Sequence, residues 1–363
     1  MERIIIVHWN RQTGPEPIIQ YPPEKPFPSK DLFLKIWAKH ELDKENTMIE
    51  FTPEGENNKF ISIIQEFEGE IYFLILVYNQ EDLVEKDHLG KDSPDILAIM
   101  SKNLVELINT NKITRAVSEA YTTIKNYSKL DEEENLKTFF QDKIKNTILQ
   151  ILRNGVISKS KLTNKLRQEY GFSTVNIDLL LISFIRENLL ITKNVPGSRE
   201  CYFLINDLAC TRIPPQILPL DRSDTNLTKK YKDSLENFYF NYDIISELEN
   251  REIVQTVLLD KDVFSLIKTL RDGTLSVNDC LSILNNRQEL LNELLDKKFI
   301  FEAKGFVYLF SDVLFIKFKP YFIINKLMKR YQSQEISLNE YFAHLKLLTE
   351  DIKTPSTISY EIV

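Results

Sequence analysis

The sequence predicts an α+β protein: an N-terminal five-stranded antiparallel sheet with helices, then two modules of three helices and a β-hairpin, then C-terminal helices. Three observations predict it. The first eighty residues run through β-branched stretches and turn signals in the order β-β-α-β-β-β. A further helix begins with Ser93 as N-cap and Pro94 at its first position. Beyond it, a pattern of capped helices ending in two short strands occurs twice.

The first strand is Ile4-Ile5-Ile6-Val7-His8-Trp9, and Gly14 gives the backbone freedom for a tight return into Ile18-Ile19-Gln20-Tyr21. Pro15 and Pro17 cannot donate ladder bonds, so the returning strand belongs at an edge. Ser29 can cap a helix over 30 to 41, and strands are expected at 47 to 52, 59 to 66 and 71 to 78. In the next helix, Ile96, Leu97, Met100, Leu104, Leu107 and Ile108 mark the buried face. A five-stranded sheet backed by helices is the economical solution.

After an acidic run at Asp131 to Glu134, Ile144, Ile148, Leu149 and Leu152 predict a helix ending near Asn154-Gly155. Ser158 caps a second helix and Ser173 opens a third through about Asn188; Leu189 to Lys193 and Cys201 to Ile205 then flank a turn at Pro196-Gly197. This is the grammar of a winged helix. Prolines 214, 215 and 219 mark a linker, and an aromatic-rich helix from Tyr231 follows. The grammar then repeats: Val263 to Leu270, a second helix capped by Ser276 with Asp279, Arg287 to Leu295, and a hairpin turned at Lys304-Gly305. Two amphipathic helices close the chain, at 321 to 332 and, behind a Ser337-x-x-Glu340 capping box, at 338 to 350. The expected segments are 1–128 for the sheet domain, 129–141 for an acidic linker, 142–207 for the first winged helix and 208–229 for a Pro-containing linker. A helix plus the second winged helix takes 230–319, and 320–363 is helices and tail.

The strand leading into Gly14-Pro15, the second strand ending near a proline, and the β-β-α-β-β-β-α order resemble a longin domain. Within that group the chain resembles the nitrogen permease regulator-like subunits that act on Rag-type small GTPases and carry winged-helix-like segments behind the longin domain. The likeness is detailed over the first eighty or so residues. It implies a non-enzymatic scaffold or regulatory subunit that binds a small GTPase, or another longin or roadblock-type protein as a homo- or heterodimer. In that family a loop between sheet strands presents an arginine that speeds GTP hydrolysis by neutralising transition-state charge. The corresponding turn here, Glu66-Phe67-Glu68-Gly69-Glu70, is acidic and short, so the finger does not carry over. Arg11, in the first hairpin loop, is the one arginine placed to substitute, and GTPase activation stays an alternative only through an unrecognised residue.

Composition limits the other classes. With 363 residues and 43% apolar content the chain can bury two or three ordinary cores. The longest apolar stretch, Phe299 to Phe318, is broken by Glu302, Lys304, Asp312 and Lys317, so no membrane span is expected. The N-terminus lacks a secretory pattern, and Cys201, Cys210 and Cys280 fit neither a full set of disulfides nor a zinc site, which points to the cytoplasm. The sequence has no phosphate loop, no dinucleotide fingerprint, no zinc-protease helix and no nucleophile elbow, so no cofactor, metal or catalytic residue is expected.

Charge decides between protein and nucleic acid. Residues 1 to 127 hold 14 Lys and Arg against 21 Asp and Glu, a balance of −7 that will not attract phosphates. Residues 143 to 205 hold ten basic and four acidic residues, so a winged-helix DNA-binding regulator is the alternative to be tested there. Its third helix is a poor reader of bases: Arg186 is its only cation, Asp178 repels phosphate, and apolar residues run around most of its circumference. The positive charge sits instead on the preceding helix, at Lys159, Lys161, Lys165 and Arg167, a face that suits water or an acidic protein. On the helix at 30 to 41, Leu34 and part of Trp37 are left over after the sheet is covered, which makes them the candidate protein-binding residues.

Overall fold

The structure, a computed structural model, describes residues 1–53, 57–79, 94–127, 132–172, 176–216, 225–243 and 251–350. Ser93 and Ser173, the expected caps, lie outside these residues. The chain divides into two compact units, Met1–Asn135 with Ser160–Leu190, and Leu136–Lys159 with Ile191–Val363.

In the first unit, β1 (Arg3–Asn10) and β2 (Gly14–Tyr21) form the N-terminal hairpin, and α1 (Lys30–Leu42) follows, with the Ser29 side chain accepting from the Leu32 amide. Strands β3 (Met48–Phe51), β4 (Asn58–Phe67) and β5 (Glu70–Asn79) complete an antiparallel sheet in the order β2-β1-β5-β4-β3. The prolines of β2 do fall on an edge strand, and Gly14, at φ +80°, closes the Arg11–Thr13 turn in the left-handed region. One sheet face carries Ile5, Val7, Phe73, Ile75 and Val77 beneath Leu32, Phe33 and Ile36 of α1. The other carries Ile4, Ile6, Ile61, Ile63, Leu74 and Leu76 beneath α2 (Pro94–Glu106) and α3 (Ile113–Tyr127). Burial on both faces explains why β1 reads as a continuous apolar run rather than an alternating one. Each such side chain contributes about 1.5–3 kcal/mol by leaving water.

The α2/α3 layer also takes in α7 (Ile177–Arg186), through Leu179 and Ile182. The helix is capped by Asn176, whose side chain accepts from the Leu179 amide. Asn103 of α2 ties the junction: it donates to Asp178 at 2.6 Å and accepts from Asn176 at 2.9 Å. Asp178 is therefore buried and hydrogen-bonded, and the apolar circumference of α7 is covered by protein.

The second unit holds α5 (Lys143–Leu152), β6 (Ile157–Ser158), β8 (Arg199–Leu204) and most of β7 (Leu190–Val195), with sheet order β6-β8-β7. Further along come α9 (Lys261–Asp272), β10 (Leu275–Ser276), α10 (Val277–Ile283), α11 (Gln288–Asp296), β11 (Ile300–Ala303) and β12 (Phe306–Leu309), with sheet order β10-β12-β11. Lys304 and Gly305, both at positive φ, make the expected two-residue turn. The aromatic helix α8 (Thr225–Phe240) packs Tyr231 and Leu235 on Tyr308 and Phe310, whereas Phe240 points into solvent. Helices α12 (Ile323–Gln332) and α13 (Leu338–Thr349) follow, and the Ser337/Glu340 capping box is formed in both directions.

Two elements stand where the sequence reading has linkers. Residues 132–141 form a helix, α4 (Glu132–Gln141): its three leading glutamates favour the positive helix N-terminus, and Leu136 and Phe139 are buried. Residues 207–213 form β9 (Asp207–Ile213), paired antiparallel with β13 (Asp312–Phe318) from Asp207↔Phe318 to Asp312↔Ile213. A strand whose partner lies about a hundred residues away has no local signature.

Candidate protein-binding site at the end of the N-terminal sheet

The pairing of β1 with β5 sets the Arg11–Thr13 turn beside the Glu68-Gly69 turn. Register runs from Arg3↔Val77 to Trp9↔Ile71, so residues on either side of each turn become neighbours. Asn10 fixes the first turn locally, its side-chain oxygen accepting from the amides of Gln12 (2.9 Å) and Thr13 (3.3 Å). Lys30, at the start of α1, donates to the Thr13 carbonyl at 2.5 Å. The second turn has Glu68 and Gly69 both at positive φ, the backbone of a tight two-residue hairpin.

Alternation along the strands gives this end two chemically different sides. On the α1 side, Trp9 stacks on Trp37 with ring centroids 4.1 Å apart and planes 13° from parallel, and both rings meet Phe73 edge-on. Both tryptophans are half-buried, and Leu34, one turn before Trp37, is 42% exposed. On the opposite side His8 lies 2.9 Å from the Glu70 carboxylate and 5.1 Å from the Tyr72 ring. Burial pushes the Tyr72 phenol up, and the charges of Glu70 and Glu68 push it further. Arg11 reaches across the rim to the Gly69 carbonyl at 3.4 Å.

The structure thus brings together Leu34, Trp37, Gly14, Pro15, Arg11 and the acidic turn, which are spread over sixty residues of sequence. A partly buried indole stack with an exposed leucine beside it and an arginine at the same rim has residue types enriched in protein-binding anchors. The sequence reading missed Trp9. The signal was there: the chain has two tryptophans, and both fall within its first 37 residues.

The basic candidates are placed elsewhere, on α6 (Lys159–Gln168), whose Leu162 and Leu166 face inward. Lys159 lies 3.6 Å from Glu200, and Lys165 lies 3.5 Å from Glu169 one helical turn on, so acidic neighbours offset part of the charge. Lys161 and Arg167 are exposed. Among the described residues no group of three His, Cys, Asp or Glu side chains is arranged to hold a metal, and no helix is long and apolar enough to cross a membrane.

No family model matches the chain, and no curated protein matches it. Among solved structures, a bacterial selenocysteine-specific elongation factor, EF-Sec, aligns over 84% of this chain and 50% of its own, at 11% identity and a TM-score of 0.12. The chain spans about half the length of that solved chain, and so low a TM-score carries no argument. The fold itself defines an α+β protein with an N-terminal five-stranded antiparallel sheet and flanking helices.

Proposed function

We propose that the chain is a non-enzymatic regulatory scaffold, a longin-like domain followed by two winged-helix modules, whose N-terminal domain binds a small GTPase or a second longin or roadblock-type protein. The observation that carries the reading is the Trp9–Trp37 stack with Leu34 beside it. Both sheet faces are already covered by α1 and by α2/α3, and at this rim Leu34 is 42% exposed beside two partly buried indoles. A stable partner would cover on the order of 1,200–2,000 Å² in total. The burial of α7 against α2 and α3 favours protein contact over base reading for that helix, and the acidic balance of residues 1 to 127 points the same way.

The test is affinity capture from cytoplasm of the parent cell with the intact chain and with Leu34→Asp, after nuclease treatment, read by mass spectrometry. The reading expects a small GTPase or a longin-type protein that survives nuclease and is lost with Leu34→Asp. Recovery of nuclease-sensitive material alone sinks it. Mixing the captured GTPase with the chain and timing GTP hydrolysis then separates a scaffold, which leaves the rate unchanged, from an activator.

A further inference from the structure

The second unit contains one motif twice. Leu152-Arg153-Asn154-Gly155-Val156-Ile157-Ser158 matches Leu270-Arg271-Asp272-Gly273-Thr274-Leu275-Ser276, and Phe203-Leu204-Ile205-Asn206-Asp207-Leu208 matches Tyr308-Leu309-Phe310-Ser311-Asp312-Val313. The contacts match as well. Ile157 and Ser158 pair with Tyr202 and Cys201, while Leu275 and Ser276 pair with Val307 and Phe306, the same register in both copies. Arg153 bonds Asp207 and the Leu208 carbonyl; Arg271 bonds Asp312 and the Val313 carbonyl. Even the covering helices correspond. His344 of α13 donates to the Leu204 carbonyl, and Tyr231 of α8 donates to the equivalent Leu309 carbonyl.

One correspondence is missing. In the first copy, α12 lies across the loop after α5: Lys326 donates to the Arg153 carbonyl at 3.1 Å, and Arg330 to the carbonyls of Asn154 (2.9 Å) and Val156 (3.0 Å). The cations complement the negative end of α5. Leu327 packs so closely that a Cβ on Gly155 would sit 2.5 Å from it. In the second copy nothing among the described residues lies within 4 Å of the Cβ position of Gly273. Asp272 and Thr274 are exposed, Leu275 is half-buried where Ile157 is buried, and Phe306 is 48% exposed. Gly273 has an extended backbone (φ 165°) that any residue adopts, so neither conformation nor packing among the described residues calls for glycine there.

We infer that the loop Arg271–Thr274, with Asp272 and Phe306, is a docking site for an amphipathic helix of a partner protein that carries two basic residues one turn apart flanking a leucine. The loop is the open equivalent of the one α12 crosses, and Phe306 stands where the matching Cys201 is buried in the first copy. Its chemistry is the helix C-terminus of α9, the exposed Asp272 carboxylate and the Phe306 ring, which together suit a cationic, apolar-faced helix. Glycine at 273 leaves room for the leucine, as Gly155 does for Leu327.

The probe is the chain's own ligand for the equivalent site: a fluorescent peptide of residues 321–333, stapled across Asn325 and Lys329 to hold it helical, titrated against the full chain by anisotropy. Saturable binding is expected, weakened about tenfold or more by Asp272→Asn with Phe306→Ala in the chain, and equally by Lys326→Glu with Arg330→Glu in the peptide. Both chain positions are exposed, and a thermal melt matching the parent shows that the variant is folded. Absence of saturable binding, or equal binding to the Asp272→Asn/Phe306→Ala chain, overturns the inference, the latter because it places the peptide at the first copy.

Discussion

Arg153 grips Asp207 through one nitrogen, its Nε lying 3.0 and 2.8 Å from the two carboxylate oxygens, while its Nη2 reaches the Leu208 carbonyl at 2.9 Å. Asp207 is 1% exposed, and its Oδ1 also accepts from the Leu208 amide at 2.7 Å. The carboxylate thus fixes the first residues of β9 to the end of α5, and Arg271 with Asp312 does the same for β13 and α9. Because β9 and β13 pair with each other, the two ion pairs anchor opposite ends of one two-stranded ribbon.

Removing the arginine leaves a buried carboxylate without its counter-charge. Arg153→Met is expected to cost about 3–5 kcal/mol in denaturant unfolding. Adding Asp207→Asn, which retains the acceptor for the Leu208 amide but discards the charge, should recover part of that loss. If the double variant is no more stable than Arg153→Met, charge burial is not the cause.

The two rim candidates should separate. Leu34 is exposed, so Leu34→Asp is expected to shift stability by no more than about 0.5 kcal/mol while abolishing partner capture. Trp37→Ala also removes the stack on Trp9 and the edge contact with Phe73, and should cost about 3 kcal/mol by thermal melting.

His344 makes stability depend on pH. Its Nε2 donates to the Leu204 carbonyl at 3.0 Å, which leaves the buried Nδ1 as the atom that would take a second proton. Burial, opposed by the bond to Leu204 and assisted by the Arg330 charge, lowers its pKa to about 4. His40, buried against Ser62, is lowered to about 4 as well, again by burial first, with Asp43 pulling the other way. A folded pKa below the unfolded one means that the unfolded chain binds protons first. The stabilisation is therefore complete above the ordinary histidine value of 6.5 and is lost as pH falls towards 4, by about 3 kcal/mol per histidine. Urea midpoints at pH 7 and pH 4.5 measure the slope, and His344→Gln should flatten it.

Neutralising Lys159, Lys161, Lys165 and Arg167 together tests the winged-helix alternative. The scaffold reading expects unchanged GTPase or longin-partner capture. A DNA-binding function would show as salt-dependent binding to duplex that these four changes abolish, with a shallower salt slope at each step.

What could be read from the sequence alone is what local chemistry fixes. Ser29, Ser276 with Asp279, and Ser337 with Glu340 cap helices because a hydroxyl three residues before an amide satisfies it whatever else the chain does. Lys304-Gly305 turns a hairpin because glycine supplies the positive φ that a tight two-residue turn needs. The order of the first five strands and the edge position of the proline-bearing strand were likewise legible, because proline removes a donor wherever it stands. The acidic turn, Arg11, Leu34 and Trp37 were each visible, yet their convergence on one rim was not, since it depends on β1 pairing with β5 across some sixty residues. Tertiary structure alone decided that α7 is spent on α2 and α3, that Asp178 is satisfied by Asn103, and that β9 finds β13. Those contacts are fixed by burial and by the need to pair buried polar groups, and both depend on what arrives from elsewhere in the chain.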